Sequence, residues 1–260
     1  MILQETRLQR ICALLKMLKQ VSTERIINEL GVSRETARRD IIELEAQGLA
    51  RRVHGGVVAA GENAPEPPLR VRSAAMAKEK RAIARAAVQL LQSGQTLFLD
   101  AGSTTTLVAQ ELRGLTGLTI ITNSLQAALA LSAVEEHETL NNEVILLGGV
   151  MMAGAQQTRG EATLGEIHRF RADVALLSPV GIDAKNGASS FHPHEAAIAR
   201  AMVQQASQLI LVADHSKLGV ISRVQYATPQ RIDTLVTDSS SAASPFLEAL
   251  QQALPQVIQA

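Results

Sequence analysis

The first fifty residues carry a pattern of apolar and polar positions that predicts three short helices. Apolar side chains recur at three- and four-residue spacing, the period of an amphipathic helix, in the segments 7–19, 22–31 and 33–47. Ser22 and Ser33 stand where the second and third helices would begin. A serine oxygen at that position accepts hydrogen bonds from the free N–H groups of the first helical turn, so both boundaries are well marked.

The remainder of the chain has a different pattern, which predicts a parallel sheet. Short apolar runs alternate with helical stretches, and the runs occupy residues 96–99, 118–121, 144–147, 174–177, 209–212 and 235–236. Uninterrupted apolar strands between helices are typical of a parallel sheet that is covered on both faces. The sequence therefore predicts a small helical domain followed by a larger α/β domain.

A stretch rich in proline separates the two patterns. Residues 59–68 combine small side chains with three prolines, a composition that does not form a packed element. We therefore place an N-terminal domain at residues 1–57, a linker at residues 58–76 and a larger domain at residues 77–260.

Charge is distributed unevenly along the chain, although its total is zero. Residues 1–56 hold ten Lys or Arg against seven Asp or Glu, and the remainder holds fifteen against eighteen. The N-terminal excess has the sign that suits nucleic acid, but it is too small to carry the argument alone. The chain shows neither a signal peptide nor an apolar run of the ~18 residues that a membrane span needs, so we expect a cytoplasmic protein.

The tight turn at residues 31–33 joins the second and third helices into a helix-turn-helix unit. The third helix would enter the major groove, where arginine pairs with guanine or grips phosphates. A strand at residues 49–53 and the turn after it would form a wing on the DNA backbone. We expect DNA contacts from Ser22, Ser33, Arg34, Glu35, Thr36, Arg38, Arg39, Arg51, Arg52 and His54.

Four polar or glycine-containing segments follow predicted strands of the larger domain. They are Asp100–Thr105, Thr122–Ser124, Gly148–Gly149 and Asp214–Lys217. The carboxyl ends of parallel strands meet at one edge of a sheet, which is where ligands bind in such folds. Because Asp100–Thr105 also opens a helix, its free N–H groups and hydroxyls suit a phosphate.

The N-terminal stretch from Val21 to Gly56 resembles the signature of DeoR-type transcriptional regulators. Arg38-Arg39-Asp40 and the closing His54-Gly55-Gly56 make the match specific. Members of that family are winged helix-turn-helix proteins and are usually repressors of carbohydrate operons. The resemblance implies a recognition helix over Ser33–Gln47, with Asp40 as a structural partner for an arginine rather than a reader of bases.

The resemblance also covers the larger domain, through Asp100–Thr105, Thr122-Asn123, Gly160-Glu161, Gly181–Asp183 and Asp214–Gly219. It implies an effector-binding and oligomerisation domain that is similar in fold to ribose-5-phosphate isomerase, with a phosphorylated sugar or related small phosphate as inducer. By position, the implied ligand residues are Asp100, Gly102, Ser103, Thr104, Thr105, Asn123 and Lys217. Gly148, at a strand end, and the carboxylates of Asp183 and Glu195, which suit sugar hydroxyls, complete the candidate set.

Two other functions fit the same residues. Asp100, Asp183, Glu195 and Lys217 could serve a sugar-phosphate isomerase tethered to DNA, since such an enzyme needs a general base and electrostatic support. The protein could also be an activator or a nucleoid-associated factor. We expect a double-stranded DNA operator, a homo-oligomer (dimer or tetramer) and no cofactor. The spacing of His192, His194 and His215 fits no zinc pattern, so we expect no metal ion.

Overall fold

The computed structural model describes residues 3–18, 20–47, 49–53, 55–59, 69–133, 141–152, 154 and 156–260. His54 and nearly all of the proline-rich stretch lie outside the described residues. The chain forms two compact units, which are called here the N-terminal unit (Met1–Ala75) and the C-terminal unit (Met76–Ala260). Among the described residues, no helix combines the length and the apolar character needed to cross a membrane.

The N-terminal unit contains the three predicted helices together with a small sheet. Its elements are α1 (Gln4–Leu18), β1 (Gln20–Ser22), α2 (Thr23–Leu30), α3 (Arg34–Ala46), β2 (Ala50–Val53), β3 (Gly56–Ala59) and α4 (Leu69–Ala74). The strands form an antiparallel sheet in the order β1-β3-β2, of which the sequence pattern predicts only β2. Helix α4 lies inside the range that the sequence assigns to a linker, and its first residue, Leu69, is buried.

A core of aliphatic side chains holds the N-terminal unit together. Helices α1, α2 and α3 and strands β1 and β3 contribute to it. Helix α3 contributes the side chains of Ala37, Ile41 and Leu44 to this core. They lie at the helical spacing that the sequence predicts for its inner face. The opposite face of α3 is left to solvent.

The C-terminal unit alternates strands and helices for most of its length. Its elements are α5 (Ala77–Val88), β4 (Thr96–Leu99), α6 (Ser103–Glu111), β5 (Thr119–Thr122), α7 (Leu125–Ser132), β6 (Glu143–Leu146), β7 (Val150–Met152), β8 (Gln157–Arg159), α8 (Glu161–Ile167), β9 (Ala172–Leu177), β10 (Gly181–Asp183), β11 (Gly187–Ser190), α9 (Pro193–Gln204), β12 (Ala206–Val212), β13 (Val224–Ala227), β14 (Thr234–Thr237), α10 (Leu247–Ala253) and β15 (Gln256–Gln259).

Seven of these strands form one parallel sheet in the order β15-β14-β12-β9-β4-β5-β6. Successive side chains of a strand point to opposite faces, and β4 shows this clearly. Phe98 belongs to one apolar cluster, whereas Leu97 and Leu99 belong to the other. The sheet is therefore covered on both faces, as the uninterrupted apolar runs predict.

The chain changes direction in the middle of this sheet. From β4 it proceeds outward through β5 to β6, and it then returns to place β9 on the other side of β4. In open parallel sheets, such a switch point opens a crevice at the carboxyl ends of the two strands that flank it, and ligands usually bind there. In this sheet the two strands are β4 and β9. Two smaller antiparallel sheets, β10-β11-β13 and β7-β8, accompany the main sheet and have no clear signal in the sequence.

Candidate nucleic-acid interface and ligand site

Serine residues begin both helices of the helix-turn-helix unit. The Ser22 hydroxyl accepts a hydrogen bond from the N–H of Arg25 at 3.2 Å, and the Ser33 hydroxyl accepts one from the N–H of Thr36 at 3.1 Å. The hydroxyls of Ser33 and Thr36 also share a hydrogen bond of 2.9 Å. These contacts define where α2 and α3 begin, and they hold the start of α3 in a single geometry.

The outer face of α3 presents arginine to solvent. Arg34, Arg38 and Arg39 are all exposed, and Arg39 forms an i,i+4 ion pair with Glu35 at 3.5 Å. Within the described part of the chain, neither Arg34 nor Arg38 has an ion-pair partner. Both guanidinium groups are therefore available to a nucleic acid that approaches this face.

A buried ion pair fixes the position of α3 against α1. Arg7 donates to both carboxylate oxygens of Asp40, at 2.6 and 2.9 Å, and the Asp40 side chain is fully buried. Its hydrogen bond to Asp40 raises the pKa of the Arg7 guanidinium. Asp40 is therefore a structural partner of an arginine, as the family resemblance implies.

The wing is the hairpin of β2 and β3. Arg51 is exposed on β2, whereas Arg52 is tied to the end of α3. The backbone N–H of Arg52 donates to Glu45 Oε1 at 3.0 Å, and its Nε donates to Glu45 Oε2 at 2.8 Å. Arg51 is therefore the freer of the two to contact DNA, while His54 lies outside the described residues.

The two glycines of the wing serve different purposes. Gly55 turns the hairpin with φ +81°, a left-handed conformation that disfavours other residues. Gly56 pairs with Ser22 of β1, and a Cβ atom on Gly56 would clash with the Val21 carbonyl oxygen. This part of the motif is therefore explained by backbone geometry rather than by contact with DNA.

In the C-terminal unit, Asp100 lies at the switch point and bridges the two strands that form it. Its Oδ2 accepts a hydrogen bond of 3.0 Å from the N–H of Ser178, the residue after β9. The carboxylate thereby helps to shape the crevice between the ends of β4 and β9. A Cβ atom on Gly102 would lie 3.3 Å from the Ser178 side chain, so the loop approaches β9 closely.

Helix α6 begins at this end of the sheet, and no side chain of the described residues caps it. The Thr105 and Thr106 hydroxyls both donate to the Gly102 carbonyl, at 3.2 and 2.7 Å. Considering only described residues, the N–H groups of Ser103, Thr104 and Thr105 meet no hydrogen-bond acceptor. The start of α6 therefore offers unsatisfied donors and the positive end of the helix dipole to an anion.

A second group of polar side chains gathers beside this crevice, at the end of β5. Asn123 follows Thr122, which pairs with Leu99 of β4, so Asn123 and Asp100 occupy adjacent strand ends. Asn123 Nδ2 donates to the Thr158 carbonyl at 3.1 Å, while its buried Oδ1 has no hydrogen-bond partner among the described residues. The amide oxygen is thus poised to accept a hydrogen bond from a ligand.

Glu195 joins the same group through Gln157 of β8. Its Oε1 accepts from Gln157 Nε2 at 2.9 Å, and its Oε2 accepts from the Ser190 hydroxyl at 3.2 Å. Gln157 also pairs with Ser124 in an isolated antiparallel bridge. The contacts therefore connect Glu195, at the start of α9, with the end of β5.

The segment after β12 adds charged groups at this edge. Asp214 is buried, and its Oδ2 lies 3.9 Å from Nζ of Lys80, a buried lysine of α5. His215 Nδ1 lies 2.9 Å from Asp238 Oδ2, and this hydrogen bond raises the pKa of His215 although burial opposes it. Lys217 is half-buried in the same turn and remains a candidate cation for an anionic ligand.

Two predicted ligand residues are already engaged in the fold. The N–H of Gly148 donates to Glu166 Oε2 at 2.7 Å, and its carbonyl accepts from the Thr163 hydroxyl at 2.6 Å. Asp183 Oδ1 accepts three hydrogen bonds from Lys185 and Asn186, within the turn between β10 and β11. Burial raises the pKa of Asp183, but these hydrogen bonds outweigh it, so the net pKa lies below its ordinary value.

The histidines do not gather around a common point. His192 and His194 are exposed at the start of α9, with the His192 ring edge-on to Phe191 at 5.0 Å between centroids, whereas His215 is held by Asp238. Across the described ranges, no three His, Cys, Asp or Glu side chains lie close enough together to hold a metal ion.

The structure also brings Ser178, Gln157 and Lys80 to this edge of the sheet, through contacts with Asp100, Glu195 and Asp214. None of the three is in the candidate set listed above. Ser178 carries a readable signal, because it follows a buried strand as Asp100 does. Gln157 and Lys80 carry none, since a glutamine on a three-residue strand and a lysine on an amphipathic helix have the composition of surface positions. Only their long-range contacts place them here.

Comparison with known protein families identifies both units. Residues 7–62 match the DeoR-like helix-turn-helix domain, and residues 75–239 match the DeoR C terminal sensor domain. The chain is 36% identical to the HTH-type transcriptional repressor GlcR of Bacillus subtilis (strain 168), covering 90% of this chain and 88% of that one. It is 35% identical to the glycerol-3-phosphate regulon repressor of Escherichia coli (strain K12), covering 93% of each chain.

Among solved structures, the chain is similar to ribose 5-phosphate isomerase A from Methanocaldococcus jannaschii. The TM-score is 0.41 at 16% sequence identity, and the match covers 55% of each chain.

Proposed function

Because the chain belongs to the DeoR family of transcriptional regulators, we propose that it represses a carbohydrate operon and releases its operator when a phosphorylated sugar binds the C-terminal unit. The observation that carries this proposal is the uncapped start of α6 at the topological switch point. A DNA-binding helix-turn-helix and an anion-binding site on one chain are the two parts that a ligand-controlled repressor needs.

Helix α3 serves as the recognition helix. Its inner face is anchored by the core and by Asp40, so Arg34 and Arg38 project from a rigid element toward base edges. Arg51 on the wing would contact the adjacent phosphates. A reader of this kind usually acts on a two-fold operator, so we propose a homo-oligomer assembled through the C-terminal unit.

The effector would place its phosphate at the N–H groups of Ser103, Thr104 and Thr105, with Lys217, which follows β12 at the same end of the sheet, as the cation. The hydroxyls of the sugar would face Asp100 and Asn123, whose oxygens accept hydrogen bonds. This arrangement of donors and acceptors suits a small molecule with one anionic end and one hydroxylated end.

We propose that the C-terminal unit binds its effector without turning it over. Both carboxylate oxygens of Glu195 already accept hydrogen bonds from Gln157 and Ser190, which supports a positioning role rather than that of a free general base. Conversion of a bound sugar phosphate by the purified protein, abolished in Glu195→Gln, would establish the isomerase instead.

The proposal is tested by fluorescence anisotropy with a labelled fragment from upstream of the protein's own gene. Glycerol 3-phosphate, glucose 6-phosphate, fructose 6-phosphate and ribose 5-phosphate serve as effectors, with inorganic phosphate as a control. We expect specific binding at moderate salt and at least one sugar phosphate that weakens it. Specific binding that none of these compounds alters would contradict the proposal.

The variant Ser103→Asp provides a matched test of the site. An aspartate is favourable at the start of a helix, so it keeps α6 folded while its charge opposes the phosphate. Ser207→Asp adds the same charge at an exposed position at the opposite edge of the sheet. We expect Ser103→Asp to bind DNA with an affinity that the effector does not change. The effector should weaken DNA binding by Ser207→Asp as much as it does for the unmodified protein.

A further inference from the structure

Tyr226 is the single tyrosine of the chain, and it lies on β13 with its side chain almost fully buried. Its hydroxyl has no hydrogen-bond partner anywhere in the described part of the molecule. Buried hydroxyls are nearly always satisfied, so an unsatisfied one needs an explanation. A bound ligand that completes the hydrogen bond is one such explanation.

A bulge in β13 directs this side chain. Ala227 pairs with Ala188 of β11 while Gln225 pairs with the next residue, Ser189, so Tyr226 is the extra residue opposite a single step of the partner strand. The neighbouring Gln225 is exposed and donates to the Asn186 carbonyl. Bulges often redirect a side chain beside a functional site.

The electrostatics of Tyr226 connect it with the ligand site. Burial raises the pKa of the phenol well above its ordinary value, and the negative charge of Asp100 raises it further. The phenol therefore keeps its proton at physiological pH and can act as a hydrogen-bond donor. Contacts of the small β10-β11-β13 sheet place it at the same end of the main sheet: Ser190 of β11 donates to Glu195, and Ile182 of β10 pairs with Leu218, just after the Asp214–Lys217 turn.

We propose that the Tyr226 hydroxyl selects the effector by donating a hydrogen bond to one sugar hydroxyl. The same sugar hydroxyl donates its own hydrogen bond to the Asp100 carboxylate. A carboxylate can only accept, whereas a neutral phenol can donate, so the pair satisfies both functions of one alcohol group. The Asp100 charge repels a phosphate, which places the sugar end of the effector here and its phosphate at α6. The inference rests on the proposed function and adds a residue that discriminates among effectors.

The composition of the chain makes a direct test available. With one tyrosine and no tryptophan, the intrinsic emission of the unmodified protein comes from Tyr226 alone. The protein is titrated with the four sugar phosphates named above, and binding is followed both by tyrosine emission and by the shift in melting temperature. We expect a saturable change in emission with the same Kd as the thermal shift.

Two variants separate the hydroxyl from the fold. Tyr226→Phe keeps the ring and should raise the Kd for the sugar phosphate about tenfold, which is the contribution of one neutral hydrogen bond. Thr234→Val removes a buried hydroxyl at the opposite edge of the sheet and should leave the Kd unchanged.

Each result decides between the two claims. A sugar phosphate that stabilises the unmodified protein and Tyr226→Phe equally, without changing tyrosine emission, overturns the role of Tyr226 but preserves the proposed function. If none of the four compounds changes either the melting temperature or the emission, both claims are overturned.

Discussion

The two units of the molecule use polar side chains in opposite ways. In the N-terminal unit, the polar groups that shape the fold are satisfied by one another: Ser33 with Thr36, Asp40 with Arg7, and Glu45 with Arg52. In the C-terminal unit, the buried Asn123 Oδ1 and Tyr226 hydroxyl have no hydrogen-bond partner among the residues that the structure describes.

This difference follows from the kind of partner that each unit meets. A DNA reader presents exposed charge on a rigid frame, since phosphates and base edges approach from solvent. A sensor of small molecules encloses its ligand, so its binding groups are buried and lack partners until the ligand arrives. The first unit should therefore respond most to changes of surface charge, and the second to changes of buried hydrogen bonds.

The largest effect is expected from removing the exposed arginines of α3. Arg34→Ala and Arg38→Ala should each weaken operator binding by about 1–3 kcal/mol if the side chain is bidentate to a base. Arg85→Ala, which removes an exposed arginine from the C-terminal unit, should leave the anisotropy titration unchanged. Equal losses in all three variants would show that general charge, rather than α3, carries the affinity.

The two wing glycines should differ in their effect on stability. Gly56→Ala forces a Cβ atom against the backbone carbonyl of Val21 and should cost about 3 kcal/mol or more. At Gly55 a Cβ atom would meet no atom of the described residues within 4 Å, so Gly55→Ala should cost about 1–2 kcal/mol, from its left-handed backbone alone.

Denaturant unfolding of the full chain measures this difference. Circular dichroism follows both units, whereas tyrosine emission follows only the C-terminal unit. We expect Gly56→Ala to shift the dichroism transition of the N-terminal unit and to leave the emission transition in place. A matching shift of both transitions would contradict this expectation, since it would show that the substitution does not act on the N-terminal unit alone.

A smaller effect is expected from Thr104→Val at the start of α6. The variant keeps the volume and the backbone N–H of Thr104 but removes a hydroxyl from the phosphate site, so effector affinity should fall about tenfold. Operator affinity without effector should not change, because Thr104 lies in the other unit. Calorimetric titration with the active sugar phosphate measures the first quantity, and unchanged affinity would remove Thr104 from the site.

The smallest effect is a pH dependence of the C-terminal unit. The pKa of His215 is raised by Asp238, so the pair contributes its full stability below the ordinary histidine value of about 6.5 and loses it as pH rises through the higher folded value. The pKa of Asp238 is lowered by the same contact although burial opposes this, so stability is also lost in acid, as pH falls through the lowered value.

The histidine contribution is isolated by comparing the unmodified protein with His215→Gln in the absence of effector. The difference in melting temperature should be about 1–3 °C near pH 6 and should shrink toward pH 8. A difference that stays constant over this range would show that protonation of His215 does not contribute.

Local signals in the sequence predict most of the framework. Capping serines place α2 and α3, and apolar runs place the central strands; the prediction for residues 96–99 matches β4. These features succeed because a few neighbouring residues decide them. The start of α6 was also predictable, since its hydroxyls and glycine follow a buried strand directly.

What the sequence did not reveal depends on distant pairing. Strands β1 and β3 have three and four residues, and they depend on pairing with each other and with β2 and on packing against the helices. The bulge that directs Tyr226 and the contacts of Gln157 with Glu195 require β11, β13 and α9 to be in place. No pattern of a few residues encodes such contacts, so the buried half of the ligand site became visible only in the structure.

The central claim, that occupancy of the C-terminal unit controls the affinity of α3 for DNA, is tested most directly by reciprocity. The Kd for operator is measured with and without saturating sugar phosphate, and the Kd for the same sugar phosphate is measured with and without operator. If one equilibrium links the two sites, the two ratios must be equal. Each ratio should be about 5 to 150, the range of typical coupling. Tight binding of each ligand with both ratios equal to one would contradict the account.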